Sequence, residues 1–303
     1  MQKRGSGIGG GVFSANDMQT RNVLPDVHFA LPAQQLRPLI TTYYGVSTPV
    51  ALEDQLHPEW GNIRFTITGE WTVERPGSTD PTGTRGALFG PTDRTAIVRS
   101  AGPGRTVGVG LTAMGWATLV QQSAHEHANR IHDLADIYGP SAERLWADLC
   151  ASDWEGCCAL FDRFFGKLAV AAPPPEPLIE RVQQALVSGN IDTVQDFADE
   201  LALTERTLAR LCQRAFGFSP KQLLRRQRFL RTLAQIGDRL DQPLATLLDG
   251  GYYDQSHFIR EFRAYMGMTP LAYFNSPRQM MRRAGAERLR TAGARVQGLH
   301  QQG

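Results

Sequence analysis

Leu208-Ala-Arg-Leu-Cys-Gln-Arg-Ala-Phe-Gly-Phe-Ser-Pro220 and Phe258-Ile-Arg-Glu-Phe-Arg-Ala-Tyr-Met-Gly-Met-Thr-Pro270 are two versions of one pattern. An offset of 50 carries Leu208 to Phe258, Arg210 to Arg260, Cys212 to Phe262, Gly217 to Gly267, Ser219 to Thr269 and Pro220 to Pro270. Upstream, the same offset sets Val194, Phe197, Ala198 and Leu201 against Leu244, Leu247, Leu248 and Gly251. A fixed-period repeat implies supersecondary units in tandem.

Each unit reads as two short helices and a tight turn. In the first, Val194, Phe197, Ala198 and Leu201 fall at i, i+3, i+4 and i+7, one apolar stripe, with Asp192 or Thr193 to cap it. Leu203-Thr204 makes the break, and Leu208, Leu211, Cys212 and Ala215 form the next stripe. Gly217 stops this helix, because a left-handed residue costs glycine little. Ser219-Pro220 starts another, with a hydroxyl cap and a proline where the missing N–H is harmless. The second unit repeats the syntax: Asp254 as cap, Phe258, Phe262 and Met266 inward, Gly267 as stop, Thr269-Pro270 as restart.

Subtracting the inward stripes leaves Arg206, Thr207, Ala209, Arg210, Gln213 and Arg214 outward in the first unit, and Gln255, Ser256, Ile259, Arg260 and Arg263 in the second. Such groups match base edges: arginine pairs with guanine, glutamine with adenine, and small apolar groups touch the thymine methyl. A helix–turn–helix with a donor-rich second helix has the docking geometry of a sequence reader. An isolated surface arginine is ordinary solvation; the same face built twice at one spacing points to double-stranded DNA.

The run Gly251-Tyr-Tyr-Asp-Gln-Ser-His-Phe-Ile-Arg-Glu-Phe-Arg-Ala-Tyr-Met-Gly-Met-Thr-Pro-Leu-Ala-Tyr273 resembles the C-terminal signature of the AraC/XylS family of bacterial transcription regulators. The resemblance spans about residues 178–276. It implies two helix–turn–helix subdomains joined by a long helix, with recognition helices in successive major-groove segments. By position it makes Arg206, Ala209 and Arg210 the first base-facing set, and Gln255, Ser256, Ile259 and Arg260 the second. Leu247, Leu248 and Asp249 depart from the small residues usual in the second scaffolding helix.

Charge is split along the chain. Residues 178–303 hold 18 Lys/Arg and 12 Asp/Glu, whereas residues 1–177 hold 14 and 18. The basic part is where phosphate neutralisation would supply non-specific affinity. With 303 residues, 42% apolar and 20% charged, the composition is that of a soluble two-domain protein. No run of about 18 apolar residues suggests a membrane span, and the Gly-rich start lacks the apolar core of a secretion signal. Four cysteines without Cys-x-x-Cys spacing give neither a disulfide framework nor a zinc site. A reducing cytoplasm fits.

The expected fold class is therefore α+β and multidomain. Residues 1–22 read as a disordered lead. Residues 23–170 read as a β-rich sensing or dimerisation domain with trailing helices, residues 171–177 as a Pro-rich linker, residues 178–276 as an all-α double helix–turn–helix domain, and residues 277–303 as a flexible tail. Short runs such as Val27–Leu31, Ile40–Val46 and Asn62–Thr68 suggest a sandwich or barrel; Ile63, Phe65 and Ile67 share one face. The family resemblance implies a cupin-like barrel, though no His-x-His metal motif appears on a strand. The aromatic residues Tyr43, Tyr44, Trp60, Phe65 and Trp71 are candidates for an effector pocket or for core. The apolar stripe of residues 153–170 serves either a helix–helix dimer seam or packing on its own barrel. Arg225, Arg226, Arg228 and Arg231 on the connector, and Arg278, Arg282 and Arg283 on the tail, are candidate phosphate contacts.

No catalytic site, cofactor or metal site is expected. His125-Glu126-His127 with His132 lacks metalloenzyme spacing, and Cys157-Cys158 reads as core thiols. The Pro-Cys-His-Arg type of run found in alkyl-accepting repair proteins is absent, and no P-loop lysine follows the glycines at 102–110. The reading is a DNA-binding transcription regulator, such as an activator, controlled by a small effector. Expected partners are double-stranded DNA, the effector and a second copy of the chain as homodimer, with RNA polymerase a further candidate. The alternative is a small-molecule-binding or dimerisation protein whose DNA-binding unit is vestigial.

Overall fold

The computed structural model describes residues 24–75, 85–237, 252 and 254–299. A β-rich region built from two sheets is followed by a helical C-terminal region. The strands are β1 Asp26–Ala30, β2 Ile40–Thr48, β3 Leu52–Leu56, β4 Asn62–Thr68, β5 Trp71–Glu74, β6 Gly86–Phe89, β7 Ala96–Ser100, β8 Gly104–Leu111 and β9 Ile131–Asp133. They pair antiparallel in the orders β1-β2-β8-β4-β6-β9 and β3-β7-β5.

The period-two alternation sorts the large sheet into two buried faces. Tyr43, Ile63, Phe65, Leu88, Val107 and Val109 face a layer of helices. Val27, Phe29, Tyr44 and Val46 face the small sheet, where they meet Leu52, Trp71 and Val98. The helical layer comprises α1 Ala113–Gly115, which runs on into a π-helical turn, then α2 Ala124–His127, α3 Ala135–Tyr138, α4 Pro140–Cys150 and α5 Trp154–Ala171. Asp153 caps α5 by accepting from Gly156 N at 2.9 Å. The helix lays Cys157, Phe161 and Phe165 against the sheet. Asp162 ties it down, accepting from the Tyr43 hydroxyl at 2.8 Å and from Ala33 N at 2.9 Å. Of the two roles open to that stripe, packing on the chain's own sheet is the one the structure shows; Leu160, Phe164 and Leu168 are half-buried beside it.

The C-terminal helices are α6 Pro177–Ser188, α7 Val194–Glu200, α8 Glu205–Phe216, α9 Pro220–Ile236, α10 Gln255–Met266, α11 Pro270–Asn275 and α12 Gln279–Ala292. Their ends follow from capping chemistry. Thr193, Thr204, Ser219, Asp254 and Thr269 each accept from a backbone N–H in the first turn. Gly217 and Gly267, at φ 84° and 70°, close α8 and α10 in the left-handed region. The scaffolding helix expected around Leu244–Gly251 lies outside the described residues, as does the lead expected over 1–22.

Of residues 277–303, expected as a flexible tail, the described part, 277–299, is packed on the β-rich region. Helix α12 packs on β1 and β3 and buries Met280 among Val27, Phe29 and Val98. Met281 N donates to Asp54 Oδ2 at 2.9 Å, and Arg283 to the Pro25 carbonyl at 3.2 Å. Beyond it, Gln297 bonds Asn62 and the carbonyls of Gly61 and Leu111. A polar composition reads as disorder only while its partners are unknown; here the β-domain supplies them.

Helices from both repeats rest on the β-rich region. Trp60 meets Phe216 edge to face, and Thr95 N donates to the Tyr265 carbonyl at 2.7 Å. His57 Nε2 lies 2.5 Å from the Tyr273 hydroxyl. Burial, then the charges of Arg288 and Arg278, hold the His57 imidazole down to about 3, against an ordinary 6.5. The unfolded chain takes a proton below 6.5 that the folded chain refuses, so this contribution is complete above 6.5 and is lost as pH falls. From about pH 7 to about pH 5.5 the loss is about 1 kcal/mol. Urea unfolding at both pH values should show it in the parent and not in His57→Gln; an equal loss in both would remove His57 as the cause.

Candidate nucleic-acid interface

Helices α8 and α10 have the same sequence of buried and exposed positions, residue by residue, along all 12 residues of each. Inward, α8 buries Leu208, Leu211, Cys212, Ala215 and Phe216, and α10 buries Phe258, Glu261, Phe262, Tyr265 and Met266. Outward, Arg206, Arg210, Gln213 and Arg214 are exposed on α8, with Thr207 and Ala209 half-buried. On α10, Gln255, Ser256, Arg260 and Arg263 are exposed and Ile259 is half-buried.

The outward residues are not chemically equal. Arg206, Arg210, Arg260 and Arg263 form no ion pair among the described residues, so their guanidinium forks stand ready. Arg214 Nη2 pairs with Glu176, next to the start of α6. Thr207 Oγ1 lies 2.9 Å from Thr204 Oγ1, at the cap. The free donors on α8 are thus Arg206 and Arg210, flanked by Gln213.

Three connector arginines are taken up by the protein itself. Glu261, 1% exposed at its side chain, accepts from Arg225 Nε at 2.9 Å and from Arg228 Nη2 at 3.3 Å. This ties the middle of α10 to α9. Arg226, expected outward, is buried. Its Nη1 donates to the Thr92 carbonyl at 3.0 Å, its guanidinium lies 4.1 Å from the Trp60 ring centre, and burial brings its pKa down to about 10. Arg278, expected on phosphate, donates to the Phe274 carbonyl at 3.1 Å and lies over the Tyr273 ring. The sequence signal for Glu261 was present: the 50-residue offset sets it against Leu211, a carboxylate on an inward stripe.

The five aromatic candidates separate. Tyr44 and Trp71 line a cavity of about 120 Å³ between the two sheets, floored by α12. Tyr43 and Phe65 sit on the opposite face of the sheet, against Phe161. Trp60 stands at the domain junction between Phe216 and Arg226. His57, Arg64 and Arg288 also line the cavity and were not legible as pocket residues, because two arrive from a loop and a distant helix. His127 and His132 meet with ring centres 4.4 Å apart, but no cluster of three or more metal-type ligands occurs among the described residues.

A β-rich region followed by matched helices of this build has the architecture of a helix–turn–helix protein. Residues 197–276 match the family model described as a helix-turn-helix domain, and this part of the chain is a helix–turn–helix domain of the AraC type. No curated protein matches the chain. Among solved structures it is similar to ToxT from Vibrio cholerae, at 11% identity and a TM-score of 0.43, covering 82% of this chain and 97% of that one. A second ToxT structure, described as unsaturated fatty acid bound, is similar at 12% identity and a TM-score of 0.43, covering 82% and 94%. The AraC-like transcriptional activator CuxR is similar at 18% identity and a TM-score of 0.29, covering 72% and 91%. No helix among the described residues is long and apolar enough to cross a membrane.

Glu261→Gln keeps the shape of the clamp and removes its charge, leaving Arg228 without a counter-ion in a half-buried place. The expected loss is about 1–3 kcal/mol, read as a lower urea midpoint, and an unchanged midpoint would show that the clamp is dispensable.

Proposed function

We propose that the protein is a sequence-specific DNA-binding transcription regulator controlled by a small effector held in its β-domain. The observation that carries the DNA-binding reading is the pair of matching outward faces on α8 and α10, each with an unpaired arginine at the same register, Arg210 and Arg260. Arg206, Arg210 and Ala209 form one reading set, with Thr207 and Arg214 at its edge. Gln255, Ser256, Ile259 and Arg260 form the other, with Arg263 at its edge. Phosphate contacts set the register on the duplex, while base-edge contacts specify sequence.

The effector half of the reading is supported by the place of the cavity. His57 on its wall touches Tyr273 of α11, and the carbonyl of Glu59, also on its wall, lies 3.5 Å from Arg226 of α9. A ligand that shifts this loop shifts the seats of both readers. A second copy of the chain and RNA polymerase are the protein partners of this proposal.

Gel shifts with the full chain on genomic fragments test it. Arg210→Ala and Arg260→Ala should each cost about 1–3 kcal/mol at one base pair, with smaller losses on scrambled DNA. Equal losses on both would make them phosphate contacts. Failure to bind any fragment specifically would overturn the regulator.

A further inference from the structure

The cavity between the sheets carries a positive charge that the described residues leave uncompensated. Its walls are mostly apolar: Val27, Phe29, Val46, Trp71 and Val98, with Met280 from α12. Three arginines interrupt them, Arg64, Arg288 and Arg295, and the first two differ. Arg64 is satisfied: it pairs with Glu59, its Nε donates to the Tyr44 hydroxyl at 2.9 Å, and it lies 4.2 Å from the Phe89 ring centre. Arg288, half-buried on α12, has an aromatic ring beside it but no ion-pair or hydrogen-bond partner among the described residues. Its guanidinium carbon lies 4.8 Å from the Phe29 ring centre, and its Nε is sealed from solvent and donates to no acceptor among the described residues. Glu59 is the acid whose field reaches Arg288, and that carboxylate is already engaged by Arg64. His57 brings no negative charge. A charge held in an apolar place without a counter-ion is unfavourable, and a planar fork is suited to a carboxylate.

Volume limits the rest. A space of about 120 Å³ is of the order of an apolar cavity that accepts a single ring, and it is too small for a long acyl chain. We propose that the cavity takes a compact apolar monocarboxylate, its carboxylate on Arg288 and its hydrocarbon body against Phe29, Val46 and Trp71. This rests on the effector reading above and names the effector's chemical class. It also assigns a signalling route. Arg288 belongs to α12, which begins at Gln279, just after α11 ends at Asn275. A ligand held by Arg288 on one side and the sheets on the other fastens α12, and through α11 it constrains the second reader.

The test is calorimetric titration of the full chain with cyclohexanecarboxylate, with its neutral amide, and with palmitate. The carboxylate is expected to bind at least about tenfold more tightly than the amide, and palmitate is expected to bind more weakly than the compact acid. Arg288→Met should erase the preference for carboxylate over amide. Arg288→Lys, which keeps the charge and stem, should retain part of it and stands in if the methionine variant fails to fold. Equal binding of acid and amide, no binding of the acid, or a preference that survives Arg288→Met would overturn the assignment. Palmitate binding as tightly as the compact acid would overturn its size limit. Gel shift is read separately. Specific DNA binding without carboxylate binding removes this ligand and leaves the regulator, whereas carboxylate binding without DNA binding does the reverse.

Discussion

The structure turns on a packing constraint: two helices, 50 residues apart in sequence, must bury the same stripe. Apolar groups at i, i+3, i+4 and i+7 leave a helix one way to face its core. Once Leu208, Leu211, Cys212 and Ala215 are inward on α8, and Phe258, Phe262 and Met266 on α10, the outward positions are fixed. Capping hydroxyls and left-handed glycines then set where each helix begins and ends. The outward arginines therefore recur at the same register without any contact to one another.

Around this repeat, the β-domain acts as a bracket. It seats the first unit through Trp60 and Phe216, the connector through Arg226, and the second unit through Thr95 and His57. The loop His57-Pro58-Glu59-Trp60 supplies three of these four seats from one short stretch between β3 and β4. Its residues also wall the cavity or stand beside it. On the proposed reading, a perturbation at the cavity passes to the C-terminal helices through a few contacts, the Trp60–Phe216 ring pair and the polar contacts of Arg226 and His57. The buried Glu261 serves the opposite end: its charge is tolerable because two guanidinium groups meet it, and it fastens α10 to the connector.

The matched helices α8 and α10 were legible because their signals are local. Stripes, caps and stop glycines act within a dozen residues, and the offset of 50 repeats them. The two-sheet character of the first part was legible from short alternating runs such as Ile63-Arg64-Phe65. What escaped the sequence depends on distant partners. Arg226 looks like its neighbours Arg225 and Arg228, and only the fold decides that it turns inward to Thr92 while they meet Glu261. Arg278 and the rest of 277–299 look solvated until β1 and β3 provide a surface. Tyr43 and Tyr44 are adjacent, so the pleat sends one to the helices and the other to the cavity; assigning which required the register. The outward faces of α8 and α10 were deduced from periodicity, and the structure exposes them as that periodicity requires.

The most direct test of the central claim is a nucleotide-resolution footprint of the full-length protein on a genomic site it selects. Two faces docked in successive grooves should protect two patches on one side of the duplex, about one helical turn, or about 10 base pairs, apart. A single patch, or two patches on opposite sides of the duplex, would contradict the idea that α8 and α10 read DNA as a pair.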